Sequence, residues 1–181
     1  MIITISGLPG SGKTTVGRIV AKKLGYRFLS MGDLRGEIAM KHGMTIDQLN
    51  EIGKKESWTD KEVDGMLAEK GRSEDNFVVD GWIAFHFIPQ SFKVFLTGEE
   101  RVRATRIFKD QRPDEERQKS VDVVIKMQKR RIANTDARYR KWYGVSFQDM
   151  GHYDLVVDTT KISAKQVAEK ILKEAKKFGK S

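Results

Sequence analysis

Apolar runs rich in β-branched residues alternate along this chain with segments in which apolar residues recur at helical spacing. The runs predict five short strands, near residues 2–6, 27–30, 77–80, 93–96 and 154–158. Strands that alternate with helices are typical of a parallel sheet with helices on its faces. The pattern therefore predicts an α/β fold. Its first helix spans about residues 13–24, and its last begins at Ser163, which forms a capping box with Gln166.

Two long stretches contain no predicted strand. Residues 33–75 are predicted to form two or three short helices, with breaks at Gly43, at 58–60 and at Gly71. Residues 98–143 are predicted to form an arginine-rich helical arm around Pro113. Neither stretch has the composition of a linker, so both are expected to be insertions that cover the sheet edge of one domain, residues 1–181.

Composition narrows the class of protein. The 181 residues suffice for one core and are too few for two domains of usual size. No apolar run approaches the roughly 20 residues that span a bilayer, and Met1 leads directly into a strand, so we expect a soluble, cytoplasmic protein. The absence of cysteine excludes disulfides, thiol catalysis and cysteine-ligated metals. The net charge of +9 indicates an anionic partner without identifying it.

Between the first strand and the first helix the chain reads GLPGSGKTT, which contains the pattern G-x-x-x-x-G-K-T. Such a loop directs successive backbone N–H groups at phosphate oxygens, and its glycines permit the backbone angles that this requires. Lys13 supplies a mobile positive charge, and the hydroxyl of Thr14 is a ligand for Mg²⁺. The residues predicted to hold ATP are Gly7, Leu8, Pro9, Gly10, Ser11, Gly12, Lys13, Thr14 and Thr15.

A phosphate-binding loop of this kind needs a second residue to hold the metal, usually an acid at the end of a nearby apolar strand. Asp80 follows the apolar run FVV and is the predicted ligand, together with Thr14. Asp154 and Asp158 bracket a comparable run, LVV, but Asp158 fits better as the first residue of the turn DTTK.

The loop identifies the phosphate donor and leaves the acceptor open. A guanine-nucleotide switch would need an N-K-x-D base-reading motif, which the chain lacks, and motor ATPases are usually longer. A small kinase instead needs an acceptor pocket and a closing lid that keeps water out. The two helical insertions are candidates for those two parts.

Four segments together resemble those of nucleoside monophosphate kinases, most closely the archaeal type of cytidylate kinase. They are GLPGSGKTT, FLSMGDLR, VVDG and RYRKWYGVSFQDMGHYDLVVDTTKIS, and the resemblance extends from Ile2 to about Leu172. It implies a five-stranded parallel sheet with an acceptor-binding helical subdomain and a lid. It also implies transfer of the γ-phosphoryl group of ATP to CMP or dCMP with Mg²⁺, by an enzyme that is commonly a monomer.

The resemblance also assigns site residues. Ser30, Gly32 and Asp33 fall where the acceptor-binding helix of the family begins. Arg131 and Arg138 fall in the helix after the lid and would act in catalysis. Because they are seven residues apart they share a helix face, from which they can converge on phosphates.

Other arginines flank the expected lid. Nine arginines lie from Arg101 to Arg140, so several must be solvated or paired with acids. Arg106 lies with Arg103 in the helix that leads to the lid and is the one assigned to ATP. Arg112, beside Pro113, is a further candidate.

Three positions depart from the family pattern, all on the acceptor side. Gly36 replaces an arginine that is usual on the acceptor-binding helix, and Arg35 lies one place earlier. Trp82 replaces the arginine that usually follows acid-Gly after the third strand. The acid expected to meet the amino edge of cytosine falls at Thr135, with Asp136 adjacent. Arg35, Asp80, Trp82 and Asp136 complete the predicted acceptor-binding residues.

These departures leave three explanations open. The acceptor is another small molecule, with Trp82 stacking on its ring; the site is rebuilt around Arg35 and arginines of the lid; or the chain is a weakened variant that binds ATP. The leading prediction is a kinase of a small-molecule nucleotide, CMP or dCMP. The alternatives are a kinase of another nucleotide, nucleoside or sugar, or an ATP-binding protein associated with nucleic acid. The basic residues do not interleave with exposed aromatics, which disfavours nucleic acid.

Overall fold

The computed structural model describes residues 1–53, 55–110 and 118–179. The strands are β1 (Ile2–Gly7), β2 (Arg27–Ser30), β3 (Phe77–Asp80), β4 (Phe92–Thr97) and β5 (Leu155–Asp158). The helices are α1 (Lys13–Leu24), α2 (Met31–Lys41), α3 (Ile46–Gly53), α4 (Trp58–Ser73), α5 (Ala84–Phe87), α6 (Glu100–Lys109), α7 (Val121–Tyr143) and α8 (Ala164–Phe178). The predicted α/β fold is confirmed, since all five strands lie within a few residues of their predicted positions.

The strands form one parallel sheet in the order β2-β3-β1-β4-β5. The strand order reverses at β1, which therefore has β3 on one side and β4 on the other. In parallel sheets of this kind ligands bind at the carboxyl ends of the strands, at the point where the order reverses. The phosphate-binding loop follows β1 at that point.

Helices cover both faces of the sheet. On one face Ile3, Ile5 and Leu96 pack with α1 and α8 in the larger core. On the other face Phe77 and Val79 of β3 pack with residues of α4 and α5. Because both faces are covered, the strands read as continuous apolar runs instead of alternating.

The ends of α8 and α1 agree with their sequence signals. Ser163 accepts a hydrogen bond from the backbone N–H of Gln166, and the Gln166 side chain accepts one from the backbone N–H of Ser163, which completes the predicted capping box. The last turn of α1 ends at Gly25, whose φ of 68° is the left-handed conformation typical of a helix C-terminus. Within the described parts of the chain, no helix combines the length and apolar character of a membrane span.

Two of the three predicted helix breaks are wrong. The described residues between β2 and β3 form three helices, and the break at Gly43 is present between α2 and α3. Residues 58–60, predicted as a break, instead form the first turn of α4, which begins at Trp58. Gly71, however, lies inside α4, which continues to Ser73. A Cβ at Gly71 would lie 2.8 Å from Cγ1 of Ile88, so this glycine permits close packing against the chain after α5 and does not end the helix. Pro113 lies outside the described residues.

Candidate active site

The phosphate-binding loop spans residues 8–12, between β1 and α1. Gly7 and Gly10 adopt φ angles of 146° and 75°, which L side chains rarely adopt. A Cβ at Gly7 would also collide with the backbone of Leu96, and one at Gly10 with the backbone of Arg103. These two positions therefore require glycine, because the loop packs closely on β4 and α6.

The other residues predicted to hold ATP lie in or beside the same loop. Gly12, at φ 91°, directly precedes α1, so the unpaired N–H groups of the first helical turn face the loop. Pro9 and Ser11 are buried, Leu8 is half-buried, and Thr15 is exposed on the first turn of α1. The motif thus forms one continuous loop that ends at the N-terminus of α1.

Lys13 begins α1, and its ammonium group folds back over the loop. Nζ donates hydrogen bonds to the carbonyl oxygens of Gly7 at 2.9 Å and Leu8 at 3.2 Å. It also lies 5.5 Å from the centroid of the Trp82 ring. Carbonyl oxygens and an aromatic face both attract a cation. The positive charge is therefore held at the loop, within reach of a bound phosphate.

The two predicted metal ligands are in contact. Asp80 ends β3 and pairs in register with Ile5 of β1, which places its carboxylate beside the loop. The hydroxyl of Thr14 donates to Asp80 Oδ2 at 2.5 Å. Burial raises the pKa of Asp80, while the hydrogen bond from Thr14 and the charge of Lys13 oppose that rise. A hydroxyl and a carboxylate are hard oxygen ligands, so the pair fits Mg²⁺, which is held by few protein groups and by phosphate.

Two arginines of α6 contact backbone carbonyl oxygens of the loop. Arg103 is 6% exposed and donates to the carbonyl oxygens of Gly98 at 2.8 Å and Pro9 at 2.9 Å. Burial lowers the pKa of Arg103. Arg106, predicted to contact ATP, donates to the carbonyl oxygen of Thr159 at 2.7 Å and approaches that of Gly10 at 3.4 Å. Arg106 therefore joins the loop to the turn after β5.

The start of α2 lies at the end of the neighbouring strand β2. Ser30 is the N-cap residue, and its Oγ accepts a hydrogen bond from the backbone N–H of Asp33 at 3.3 Å. In the sheet Ser30 is in register with Asp80. Gly32 and Asp33 are exposed, and Asp33 lies 3.9 Å from Arg18. These predicted acceptor-binding residues thus lie beside the predicted metal ligand.

Arg35 and Arg138 meet at one carboxylate that the sequence interpretation did not include. Arg35 Nη1 of α2 lies 2.7 Å from Asp60 Oδ1 of α4, and Arg138 Nε of α7 lies 3.1 Å from Asp60 Oδ2. The side chains are 14%, 3% and 9% exposed for Arg35, Asp60 and Arg138. Arg35 also donates to Asn50 Oδ1 at 3.0 Å and to the carbonyl oxygen of Thr59 at 3.0 Å. We call Arg35 and Arg138 the arginine pair.

A second acid lies one helical turn after Asp60. Asp64 Oδ2 accepts a hydrogen bond of 2.6 Å from the hydroxyl of Tyr143. Burial raises the pKa of Asp64 to about 7, a rise that the hydrogen bond from Tyr143 opposes. Burial, together with that carboxylate, raises the pKa of Tyr143. Trp142 Nε1 donates to the carbonyl oxygen of Gly53 at 3.1 Å, so α7 is joined to both α4 and α3.

The remaining predicted residues of α7 lie in different surroundings. Asp136 is buried and accepts hydrogen bonds from Arg140 Nε at 2.7 Å and from the Ser146 hydroxyl at 2.6 Å. Its carboxylate therefore joins α7 to the segment that follows it. Arg131 is exposed two turns before Arg138, and Thr135 is buried. Arg112 lies outside the described residues.

Trp82 is half-buried beside the loop. Its ring makes an edge contact with Phe147, with 4.6 Å between ring centroids, and packs with Ile83 in the same apolar cluster. The Lys13 ammonium lies 5.5 Å from the centroid of the same ring. The tryptophan thus lies between the phosphate-binding loop and the segment that contains Phe147.

Sequence reasoning missed Asp60 and Asp64. Their positions are a usable signal: the two acids are four residues apart on α4 and lie beside the helix face that buries Val63 and Leu67. Acids next to the buried face of a helix need partners. The arginines of α2 and α7 supply them for Asp60, and Tyr143 does so for Asp64. The sequence does not say which arginines those are, because the contact joins residues far apart in the chain.

Three comparisons bear on what this site does. The family model described as the cytidylate kinase-like family matches residues 2–161. A cytidylate kinase from Archaeoglobus fulgidus is 35% identical over 181 residues, covering 98% of this chain and 97% of the relative. An S-adenosylmethionine-dependent nucleotide dehydratase from Lacinutrix mariniflava is 35% identical over 176 residues. That match covers 97% of this chain but only 36% of the longer relative.

Solved structures share the fold at lower identity. A shikimate kinase from Bacteroides thetaiotaomicron superposes with a TM-score of 0.65 at 19% identity, covering 100% of this chain and 99% of that one. This likeness concerns the arrangement of strands and helices and supports a P-loop fold.

Proposed function

The chain belongs to the cytidylate kinase-like family and is a nucleoside monophosphate kinase, and we propose that it transfers the γ-phosphoryl group of ATP to CMP or dCMP. The observation that supports this most directly is the contact between Thr14 and Asp80 beside the Lys13 loop. It joins a phosphate-binding backbone, a mobile cation and a pair of oxygen ligands at one end of the sheet.

In the proposed reaction an oxygen of the acceptor phosphate attacks the γ-phosphorus of ATP. A new P–O bond forms, the bond from the γ-phosphorus to the bridging oxygen breaks, and ADP leaves with that electron pair. The products are ADP and the nucleoside diphosphate. This chemistry needs cations placed around spreading negative charge and no covalent bond to the protein.

The chain's own groups fit the parts of this reaction. Lys13 exchanges its contacts with the Gly7 and Leu8 carbonyl oxygens for phosphate oxygens when ATP binds. The first turn of α1 presents N–H groups to the same phosphates. When bound, Mg²⁺ supplies charge neutralisation on the phosphate oxygens, and Thr14 and Asp80 are the residues that would hold it.

The helical stretches between the strands are proposed to provide the acceptor site and the lid. We assign residues 33–75 to acceptor binding and residues 98–143 to the lid and its flanking helices. Support comes from Ser30 and Asp80, which lie in register where α2 begins. Asp136 accepts one hydrogen bond on each carboxylate oxygen, from Arg140 and Ser146, and these bonds fix the orientation of the carboxylate.

A different acceptor is the second candidate, because the sequence departs from the family pattern at two positions on the proposed acceptor side. Gly36 offers no side chain on α2, and Trp82 is an uncharged ring beside Lys13. The dehydratase activity named for the Lacinutrix mariniflava relative is not extended to this chain, since the match covers 36% of that protein.

The test is a panel of acceptors with ATP and Mg²⁺, in which ADP release is measured. CMP, dCMP, UMP, AMP and GMP are compared with cytidine, which lacks the phosphate. We expect ADP formation to depend on CMP or dCMP and to be absent with cytidine. Faster turnover of another member of the panel would replace the proposed acceptor. No turnover with any member, together with RNA binding that weakens steeply with salt, would support the nucleic-acid alternative.

A further inference from the structure

The arginine pair comes from two helices far apart in the chain and is held together by one acid. Arg35 lies on α2, Arg138 on α7, and each contacts a different oxygen of Asp60 on α4. The Asp60 side chain is 3% exposed, so its charge is compensated by these two guanidinium groups and not by water. A buried carboxylate between two arginines fixes the distance between them and the direction of each.

Gly53 confirms how close the two arginines are. A Cβ built on Gly53 would lie 3.4 Å from Arg35 Nη2 and 3.6 Å from Arg138 Cδ. The end of α3 therefore lies against both side chains at once. The hydrogen bond from Trp142 to the Gly53 carbonyl oxygen keeps that end of α3 in place.

The pair retains donors and charge that the described residues do not use. Arg35 uses Nε and Nη1 for Asn50, Thr59 and Asp60, while Nη2 is buried without a hydrogen-bond partner among the described residues. Arg138 Nε forms an ion pair with Asp60 Oδ2 at 3.1 Å, but this buried N–H has no hydrogen-bond partner among the described residues. Two guanidinium groups and one carboxylate leave a net charge of about +1. Unused, buried N–H donors with surplus positive charge are the features that bind a phosphate.

From this geometry we propose that Asp60 is a positioning residue that holds Arg35 and Arg138 as a joint site for the acceptor phosphate. The inference rests on the proposed function. Arg138 is an arginine that the resemblance already assigns to the site, whereas Arg35 lies one place before Gly36. Held together by Asp60, the two supply guanidinium groups to the acceptor phosphate although positions 36 and 82 carry no arginine.

The protonation of Asp64 agrees with this role. The charged groups that face Asp64 are Asp60, Arg35 and Arg138, and Tyr143 donates a hydrogen bond to it. Burial raises the pKa of Asp64 to about 7, so below that pH this second acid is mostly neutral and leaves the charge of the arginine pair in place.

The test compares Asp60→Asn with Glu62→Gln, a matched loss of one negative charge on the same helix. Glu62 lies 3.7 Å from Lys41 and from His42, which are not part of the arginine pair. Calorimetry measures binding of CMP, cytidine and ATP to each protein, and steady-state kinetics separates KM from kcat. For Asp60→Asn we expect CMP affinity to fall at least about tenfold and its KM to rise accordingly, with ATP and cytidine binding unchanged. Glu62→Gln should match the native protein.

Two outcomes would contradict the inference or the proposed acceptor. If Asp60→Asn binds CMP as well as the native protein, or more tightly, Asp60 does not position the arginines or instead competes with the phosphate. If the native protein turns over another nucleotide and does not bind CMP, the proposed acceptor fails. In that case the same comparison is made with that nucleotide and its nucleoside.

A second variant keeps the test valid if Asp60→Asn does not fold. Arg35→Gln removes one cation and leaves a neutral pair between Asp60 and Arg138. We expect the same selective loss of CMP affinity, and the effects of Arg35→Gln and Asp60→Asn should be less than additive in the double variant. Full additivity, or an unchanged CMP affinity in Arg35→Gln, would overturn the inference.

Discussion

The proposed donor side and the proposed acceptor side of this site are built in different ways. On the donor side, consecutive residues form the loop, and a single neighbouring strand adds Asp80. On the acceptor side, Arg35, Asp60 and Arg138 come from three helices and meet only through packing. The difference teaches that a contiguous motif keeps a pattern that sequence reveals, whereas residues from separate helices are brought together only by the fold. The role of such residues must therefore be tested by substitutions that break their contacts, because no sequence motif identifies them.

The largest expected effect is on the donor side. Lys13→Ala removes the ammonium group that donates to the Gly7 and Leu8 carbonyl oxygens. We expect kcat to fall by about 10²–10³-fold or more, because a positioned cation is lost from the transferred phosphate. The measurement is ADP release, with circular dichroism to confirm that the fold is intact.

Lys22→Ala is the matched control for that variant. Lys22 lies on the same helix, in its last turn, and is exposed. It should retain native turnover. Undiminished ADP production by Lys13→Ala would refute the assignment of the loop as the donor site.

The second effect lies where the two sides meet. Trp82→Arg restores the residue usual in the family, but it removes the ring contact with Phe147 and places a second cation beside Lys13. Since the arginine pair already supplies two guanidinium groups, we expect no gain in CMP turnover. Loss of a large half-buried ring should lower the free energy of unfolding by about 2–4 kcal/mol. Chemical denaturation measures that loss.

Trp82→Phe separates the effect of the added positive charge from the effect of the lost aromatic ring. It keeps an aromatic ring against Phe147 and adds no charge, so both turnover and stability should stay closer to the native values. A large gain in CMP turnover by Trp82→Arg would show that the acceptor phosphate depends on an arginine at this position. The arginine pair would then not be sufficient for it.

The same contrast explains which parts of the molecule could be predicted from sequence. The loop, α1 and the position of Asp80 follow from local rules, because glycine angles, helix starts and strand ends are set by neighbouring residues. Gly71 was misinterpreted as a helix break because its role depends on Ile88, a residue distant in sequence. The role of Asp60 is missed for the same reason. It depends on ion pairs with Arg35 and Arg138, which are distant in sequence and meet Asp60 only in the folded chain.

The smallest expected effect is on the pH dependence of stability, and it tests the electrostatics of the acceptor side. The folded-state pKa of Asp64 is raised to about 7 from an ordinary value of 3.8. Between those values the folded protein retains a proton that the unfolded chain has released. The contribution of Asp64 to the free energy of unfolding is therefore fully present below the lower value and is lost as pH rises towards 7. The loss amounts to at most about 1.4 kcal/mol per pH unit.

Asp64→Asn removes this titration and keeps an oxygen that can accept the hydrogen bond from Tyr143. Between pH 5 and pH 7 the variant should therefore lose less stability than the native protein, as measured by urea denaturation at each pH. The raised pKa of Asp80 acts in the same direction, but it is common to both proteins and cancels in the comparison. Equal pH slopes would mean that Asp64 is ionised throughout this range. The acceptor side would then carry two charged acids against its two arginines, and the surplus positive charge that favours phosphate binding would be absent.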